Sequence, residues 1–200
     1  MKPLSKDSKK KKNIIAKYNS TSGIYDKRYR NIQYSKFKLL LGDFKFINRI
    51  ILDAGCGTGL LLEFFLKSNL NKHKRKPFYI GLDISWKMLK QILYKINKEE
   101  GFKNVNLILG DIENLPFRDE KIHSLFAVTS LQNLFDIQRG LREILRIGQQ
   151  GASLNLSILG KNVNFKKIYS YLKTELVDLN LKRLENVEDV FIQGIILKKN

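Results

Sequence analysis

The sequence is poor in cysteine, histidine and proline, and it has no long apolar run. Its one cysteine, Cys56, cannot form an internal disulfide, which favours a reducing, cytoplasmic compartment. The two histidines, His73 and His123, lie fifty residues apart, so they and a single cysteine do not predict a metal site. Three prolines and thirteen glycines exclude collagen-like and low-complexity chains. No run reaches about 18 apolar residues, so we expect no membrane-spanning helix. The lysines that follow Met1 argue against a secretory signal.

Acidic residues are also scarce: 19 Asp and Glu face 37 Lys and Arg, which gives a net charge of +18. A surplus of this size makes polyanions the expected partners, with nucleic acid ahead of membrane surfaces. Residues 1–50 alone hold fourteen Lys and Arg against three Asp. A lysine-rich proteome would spread the charge more evenly, so this concentration favours RNA as a partner.

The length of 200 residues and a hydrophobic content of 43% predict one folded domain. Residues 1–12 hold six lysines and one aspartate without an apolar face, so residues 1–13 are predicted to be a disordered basic tail. Residues 14–200 form the expected single domain, with a helical N-terminal part over 14–48 and an α/β core over 49–200.

Predicted strands and helices alternate along the core. The strands cover residues 49–53, 78–83, 104–110, 122–129 and 152–159, and the helices cover 60–70, 85–99, 138–149 and 163–177. Two further strands, 182–185 and 191–197, are expected to close the sheet as an antiparallel pair. This order predicts a doubly wound, mostly parallel seven-stranded sheet with helices on both faces. The ligand crevice of such a fold lies at the carboxyl ends of the strands.

A glycine turn follows the first predicted strand, at residues 54–59 (AGCGTG). A strand, a glycine turn and a helix N-terminus bring free backbone N–H groups into one crevice, and glycine lets a ligand approach the backbone closely. The turn lacks the lysine of a P-loop, and its spacing is tighter than the Gly-x-Gly-x-x-Gly dinucleotide fingerprint. That spacing suits a ligand without a pyrophosphate.

Residues 52–59 (LDAGCGTG) resemble the first motif of the class I S-adenosylmethionine-dependent methyltransferases, whose fold is Rossmann-like. The matches continue in the family's order, with residues 81–85 (GLDIS) resembling the end of its second strand and residues 110–117 (GDIENLPF) its third motif. The resemblance implies S-adenosyl-L-methionine as cofactor. It also implies a transfer of the sulfonium methyl group that needs orientation more than a strong catalytic residue.

The resemblance also implies the cofactor-binding residues. Asp83, with Ile84 beside it, would bind the ribose hydroxyls, and Asp111 and Ile112 would hold and frame the adenine. Asp53 would stand near the methionine amino group. The rest of the implied set comprises the glycine turn and the end of the fourth strand, namely Gly55, Cys56, Gly57, Gly59 and Val128.

The acceptor side departs from the family pattern. The fourth strand begins Ile122-His123-Ser124, where the family often has an aromatic residue and an aspartate. The Asn/Asp-Pro-Pro-Tyr/Phe sequence of many amino-directed nucleic-acid methyltransferases is absent. Gln132 and Asn133 either hydrogen-bond a base edge or cap the next turn. Tyr25, in a segment that resembles the family's N-terminal lid helix, either closes the lid or stacks on a base. The catalytic residue stays unassigned.

The sequence therefore predicts a methyltransferase that modifies an RNA base in rRNA or tRNA. The short stretch at residues 160–164 predicts an open crevice, which favours a large substrate, and the basic loop at 72–76 is expected to be solvated. The alternative is a small-molecule enzyme acting on a metabolite or a quinone-type acceptor, and a third possibility is a non-catalytic RNA-binding descendant. A monomer without membrane contact is expected.

Overall fold

The computed structural model describes residues 5–42, 50–67, 77–98, 104–160, 163–184 and 187–198. The described helices are α1 (Lys6–Thr21), α2 (Tyr25–Leu41), α3 (Leu60–Lys67), α4 (Trp86–Lys98), α5 (Ile137–Ile147) and α6 (Phe165–Glu175). The described strands are β1 (Ile50–Ala54), β2 (Phe78–Asp83), β3 (Val105–Leu109), β4 (Ile122–Val128), β5 (Gly148–Leu159), β6 (Leu176–Leu184) and β7 (Val187–Ile196). Within these ranges, no helix has the length and apolar character needed to cross a membrane. The basic loop at 72–76 lies outside the described residues.

The seven strands form one sheet in the order β3-β2-β1-β4-β5-β7-β6. The first five strands are parallel, whereas β7 runs antiparallel to both β5 and β6. The predicted mostly parallel, doubly wound sheet is confirmed. Strand β1 pairs with β2 on one side and with β4 on the other, so the strand order reverses there. A reversal of this kind opens the ligand crevice of an α/β sheet.

Neighbouring residues of the central strands pack into two separate core layers. Ile51 and Tyr79 belong to the layer that also contains side chains of α2, α3 and α4. Leu52 and Ile80, their next neighbours, belong to the layer with side chains of α5 and α6. Because side chains alternate across a strand, these layers cover the two faces of the sheet.

The N-terminal region differs from the predicted disordered tail over 1–13, because α1 begins at Lys6. The Oγ of Ser5 accepts a hydrogen bond from the Ser8 N–H at 3.2 Å, which caps the helix, and Asp7 lies in its first turn. Lys11 pairs with carboxylates that follow β3, far along the chain. The tail prediction rested on the repulsion between neighbouring lysines and the lack of an apolar face, and neither indicates these distant carboxylate partners.

The C-terminal strands also differ from their predicted bounds. The predicted helix over 163–177 ends at Glu175, and β6 begins at Leu176, which pairs with Ile196 of β7. Leu176 is buried, so pairing with β7 places its side chain in the core. That long-range pairing decides where the helix ends.

Candidate functional site

A pocket of about 710 Å³ lies at the carboxyl ends of the parallel strands. Each of β1, β2, β3 and β4 contributes residues that stand at its end or directly after it. These residues include Gly55, Gly57, Asp83, Ile84, Gly110, Asp111, Ile112 and Val128. The two N-terminal helices complete the wall. Helix α1 contributes Lys11, Ile14 and Tyr18, and α2 contributes Tyr25. Its lining combines apolar side chains with a few polar groups, as is typical of a small-molecule site.

The three glycines of the turn have left-handed backbones but serve different purposes. A Cβ on Gly55 would lie 2.5 Å from the Cβ of Ser130, and a Cβ on Gly59 would lie 2.9 Å from Ile92 Cγ1. These two glycines therefore allow the turn to pack closely. A Cβ on Gly57 would meet no atom of the described protein within 4 Å, although its φ is +55°. Gly57 lines the pocket, and no nearby protein atom would clash with a side chain at this position.

Asp83 lies between the glycine turn and the start of α4. Its Oδ2 accepts a hydrogen bond from the Gly57 N–H at 2.9 Å, and its Oδ1 accepts one from the Ser85 N–H at 2.8 Å. Burial raises the pKa of this carboxyl, and the backbone N–H groups act in the opposite direction. Ser85 also caps α4 as the sequence predicts, since its Oγ accepts from the Met88 N–H at 3.2 Å. The carboxylate is thus fixed at the pocket wall.

An acidic pair follows β3, and a lysine of α1 covers it. The Nζ of Lys11 lies 2.9 Å from Asp111 Oδ2 and 2.7 Å from Glu113 Oε2. Desolvation lowers the pKa of Lys11, but its carboxylate partners outweigh that effect and raise the pKa overall. Ile112 is buried between the two acids and lines the pocket. Sequence reasoning missed Lys11 because nothing local to α1 indicates its partners.

Helix α1 is attached to the rim of the pocket at two further points. Asn133 Nδ2 donates to the Tyr18 hydroxyl at 2.8 Å, and Ser85 Oγ donates to Asn19 Oδ1 at 2.7 Å. The rings of Tyr18 and Tyr25 lie 6.5 Å apart. Burial raises the pKa of both phenols, so they stay protonated near neutral pH. The N-terminal helices therefore line the crevice, and Tyr25 of α2 lies where the resemblance implies a lid helix.

A second pocket of about 320 Å³ adjoins the first, and both are lined by Tyr25, Gly55, Gly57 and Val128. Asp53 and Cys56 line this smaller pocket. Asp53 is buried and accepts a hydrogen bond from the Tyr79 hydroxyl at 2.5 Å. Burial and the charge of Asp83 raise the pKa of Asp53 to about 7, against the lowering effect of the Tyr79 hydrogen bond. Burial also raises the pKa of the Cys56 thiol, which disfavours a thiolate nucleophile.

Two residues of the predicted site lie outside both pockets. Gly59 packs against α4, and Gln132 donates from Nε2 to the Thr129 carbonyl oxygen at 2.7 Å, which closes the turn after β4. Asn133 does line the larger pocket, and its side chain there donates a hydrogen bond to the Tyr18 hydroxyl. Across the described part of the chain, no group of three or more His, Cys, Asp or Glu residues could hold a metal ion.

Comparison with known proteins gives a consistent result. A family model described as a methyltransferase domain matches residues 51–151. Over 129 residues the chain is 35% identical to a demethylmenaquinone methyltransferase of Thermotoga maritima, covering 62% of this chain and 51% of that protein. Over 125 residues it is 32% identical to a malonyl-[acyl-carrier protein] O-methyltransferase of Hamiltonella defensa, covering 62% of this chain and 43% of that protein.

Solved structures show the same fold. The structure of magnesium protoporphyrin IX methyltransferase from Synechocystis PCC 6803 with bound SAM superposes with a TM-score of 0.71 at 17% identity, covering 98% of this chain and 99% of that chain. The chain spans between 28% and 63% of the length of the first curated relatives it matches.

Proposed function

Because this chain belongs to the family of methyltransferase domains, whose class uses S-adenosylmethionine, we propose that the protein methylates a small-molecule acceptor. The observation that carries the proposal is the pocket at the strand ends. One cavity is lined by Gly57, Asp83 and Asp111, and two N-terminal helices cover it. A pocket that is lined by strand ends on one side and by two helices on the other suits a small acceptor beside the cofactor.

The polar groups of the pocket fit S-adenosylmethionine. Asp83 is a fixed acceptor that would take hydrogen bonds from the two ribose hydroxyls. Asp111 would accept from the adenine amino group, with Ile112 against the ring, and Asp53 would face the amino-acid end. When bound, the cofactor supplies a sulfonium methyl group that is already activated for transfer. The protein itself would orient the cofactor and the acceptor and exclude water from between them.

The prediction of an RNA base as acceptor is wrong. The matching curated relatives include quinone and malonyl-[acyl-carrier protein] methyltransferases, which agrees with the small-molecule alternative. In α1, Lys11 binds carboxylates at the pocket and Lys10 donates to the Leu134 carbonyl oxygen. Part of the lysine run is therefore used inside the fold. Binding to RNA, a monomeric state and a cytoplasmic location stay predictions.

The part of the pocket wall between α1 and the end of β4 is suited to an apolar acceptor that carries an oxygen atom. Tyr18 and Asn133 offer polar groups there, and Ile14, Leu134 and Phe135 offer apolar ones. Both tyrosines of the pocket are protonated near neutral pH, so they would donate hydrogen bonds and would not remove a proton. We infer that the acceptor supplies its own nucleophilic atom, such as a carboxylate oxygen or a ring carbon of a quinol.

The acceptor class can be tested directly. Purified protein with S-adenosylmethionine is expected to methylate a soluble quinol or a malonyl thioester and to leave unmodified rRNA and tRNA unmethylated. The measurement is mass spectrometry of each acceptor after incubation, with Asp83→Ala as the background control. Methyl groups found in RNA above that background would contradict the proposal.

Cofactor affinity is expected to depend on pH through Asp53. Its pKa of about 7 means that the carboxyl is largely protonated below neutral pH, and only the ionised form attracts an ammonium group. Affinity should therefore rise as the pH increases from about 6 to about 8 and then level off. Calorimetry across this range measures the effect. Tyr79→Phe removes a hydrogen bond that lowers the Asp53 pKa, so its curve should shift to higher pH, and a flat wild-type profile would count against this role.

A further inference from the structure

The smaller pocket contains a buried amide that the cofactor assignment leaves unexplained. Gln33 of α2 lines this pocket with only 6% of its surface exposed. Its Oε1 has no hydrogen-bond partner within the described residues. Its Nε2 lies 3.5 Å from the Tyr25 hydroxyl, at the limit of a hydrogen bond. Leaving a buried acceptor without a donor costs free energy, so a native protein that keeps one there usually supplies the donor from a ligand or a water molecule.

The surroundings of Gln33 specify what kind of donor fits. The same pocket is lined by Asp53, a second acceptor when ionised, and by the apolar side chains of Phe37 and Leu61. Two acceptors against an apolar wall suit a small cation with several N–H groups. Among the residues that the structure describes, no lysine or arginine lines this pocket. The described part of the pocket therefore has acceptors for an ammonium group and contributes no cation.

The position of this pocket connects it to the larger one. Tyr25, Gly55, Gly57 and Val128 line both cavities, so a ligand that extends from the ribose side past the glycine turn reaches Gln33. We propose that Gln33 and Asp53 together bind the α-ammonium of the amino-acid end of S-adenosylmethionine. This inference rests on the proposed function, and it adds a binding residue from α2 that the glycine-turn motif does not contain. It makes α2 part of the cofactor site as well as its cover.

A pair of ligands isolates the amino-acid end. S-adenosylhomocysteine carries the ammonium and carboxylate, whereas 5′-methylthioadenosine has the same adenosine and sulfur without them. Calorimetry would measure the affinity of both for the wild type and for Gln33→Met, which keeps the side-chain length without the amide. We expect Gln33→Met to lower the affinity for S-adenosylhomocysteine about tenfold, the usual loss when a hydrogen bond to a charged group is removed. The affinity for 5′-methylthioadenosine should not change, and this result also shows that the variant is folded.

Two further variants sharpen the test. Gln33→Glu replaces the amide oxygen by a carboxylate and should keep or raise the affinity for S-adenosylhomocysteine, because an ammonium favours the added charge. Asn31→Ala changes an exposed residue of the same helix and should leave both affinities as in the wild type. A loss in Gln33→Glu equal to that in Gln33→Met would overturn the assignment, as would equal losses for both ligands. A wild type that binds neither ligand would instead overturn the proposed function.

Discussion

Replacing Gly57 by alanine is expected to lower the affinity for S-adenosylmethionine by about a hundredfold or more while the protein stays folded. The new Cβ would meet no protein atom within 4 Å, so the core is undisturbed. Because Gly57 lines both pockets, we expect the added methyl group to take space that the cofactor needs. The backbone φ of +55° adds a strain of about 1 kcal/mol, which a folded domain tolerates.

Gly151 provides a matched control for that strain. Its φ is +77°, a Cβ there would also meet nothing within 4 Å, and it lines neither pocket. Gly151→Ala should therefore lose about as much thermal stability as Gly57→Ala and still bind the cofactor normally. Calorimetry and thermal melts on both variants distinguish the two effects. Equal affinities in the two variants would remove Gly57 from the site.

Local sequence carries enough information to predict the sheet and the glycine turn. Buried parallel strands are short apolar runs, and residues 49–53 and 78–83 are predicted within one residue of their bounds. The glycine turn and Asp83 are also local signals, because each comes directly after such a strand. Parallel topology then brings the ends of neighbouring strands to one edge, and the structure places Asp83 within hydrogen-bond distance of Gly57. Their role in binding the cofactor is a prediction from the resemblance.

The parts that sequence reasoning missed depend on contacts between distant residues. Lys11 reads as one of several tail lysines until Asp111 and Glu113 are seen beside it. From the sequence, Gln33 is expected on the exposed surface of a helix. In the structure it is buried and lines the smaller pocket together with residues of the glycine turn. Propensity and periodicity describe each segment alone, so they do not indicate which helix covers which strand end.

The net charge of +18 pointed to the wrong class of acceptor. Net charge describes the field around a protein, but it does not identify the substrate. Several cations of this chain are used inside the fold: Arg30 and Lys95 both pair with Glu63, and Lys36 pairs with Asp189. These pairs reduce the number of exposed cations, but they leave the net charge of +18 unchanged because it already subtracts their acidic partners.

Removing one partner of the buried pair formed by Lys36 and Asp189 is expected to destabilise the protein strongly. Lys36 Nζ lies 2.9 Å from Asp189 Oδ1, with 4% and 2% of the two side chains exposed. The same Nζ donates to Thr129 Oγ1 at 2.8 Å, and Thr129 lines the larger pocket with a φ of +54°. Lys36→Met leaves the Asp189 charge buried without a cation. The free energy of unfolding should fall by about 3–5 kcal/mol, as measured by urea denaturation.

Two controls separate the lost charge partner from lost packing. Lys38→Met changes an exposed lysine of the same helix and should alter stability by less than about 0.5 kcal/mol. The double variant Lys36→Met with Asp189→Asn removes both charges, so it should recover a large part of the loss, because the uncompensated charge is the main cost. If the double variant is as unstable as the two single changes added together, the pair is not coupled. The loss would then come from packing around α2 and β7.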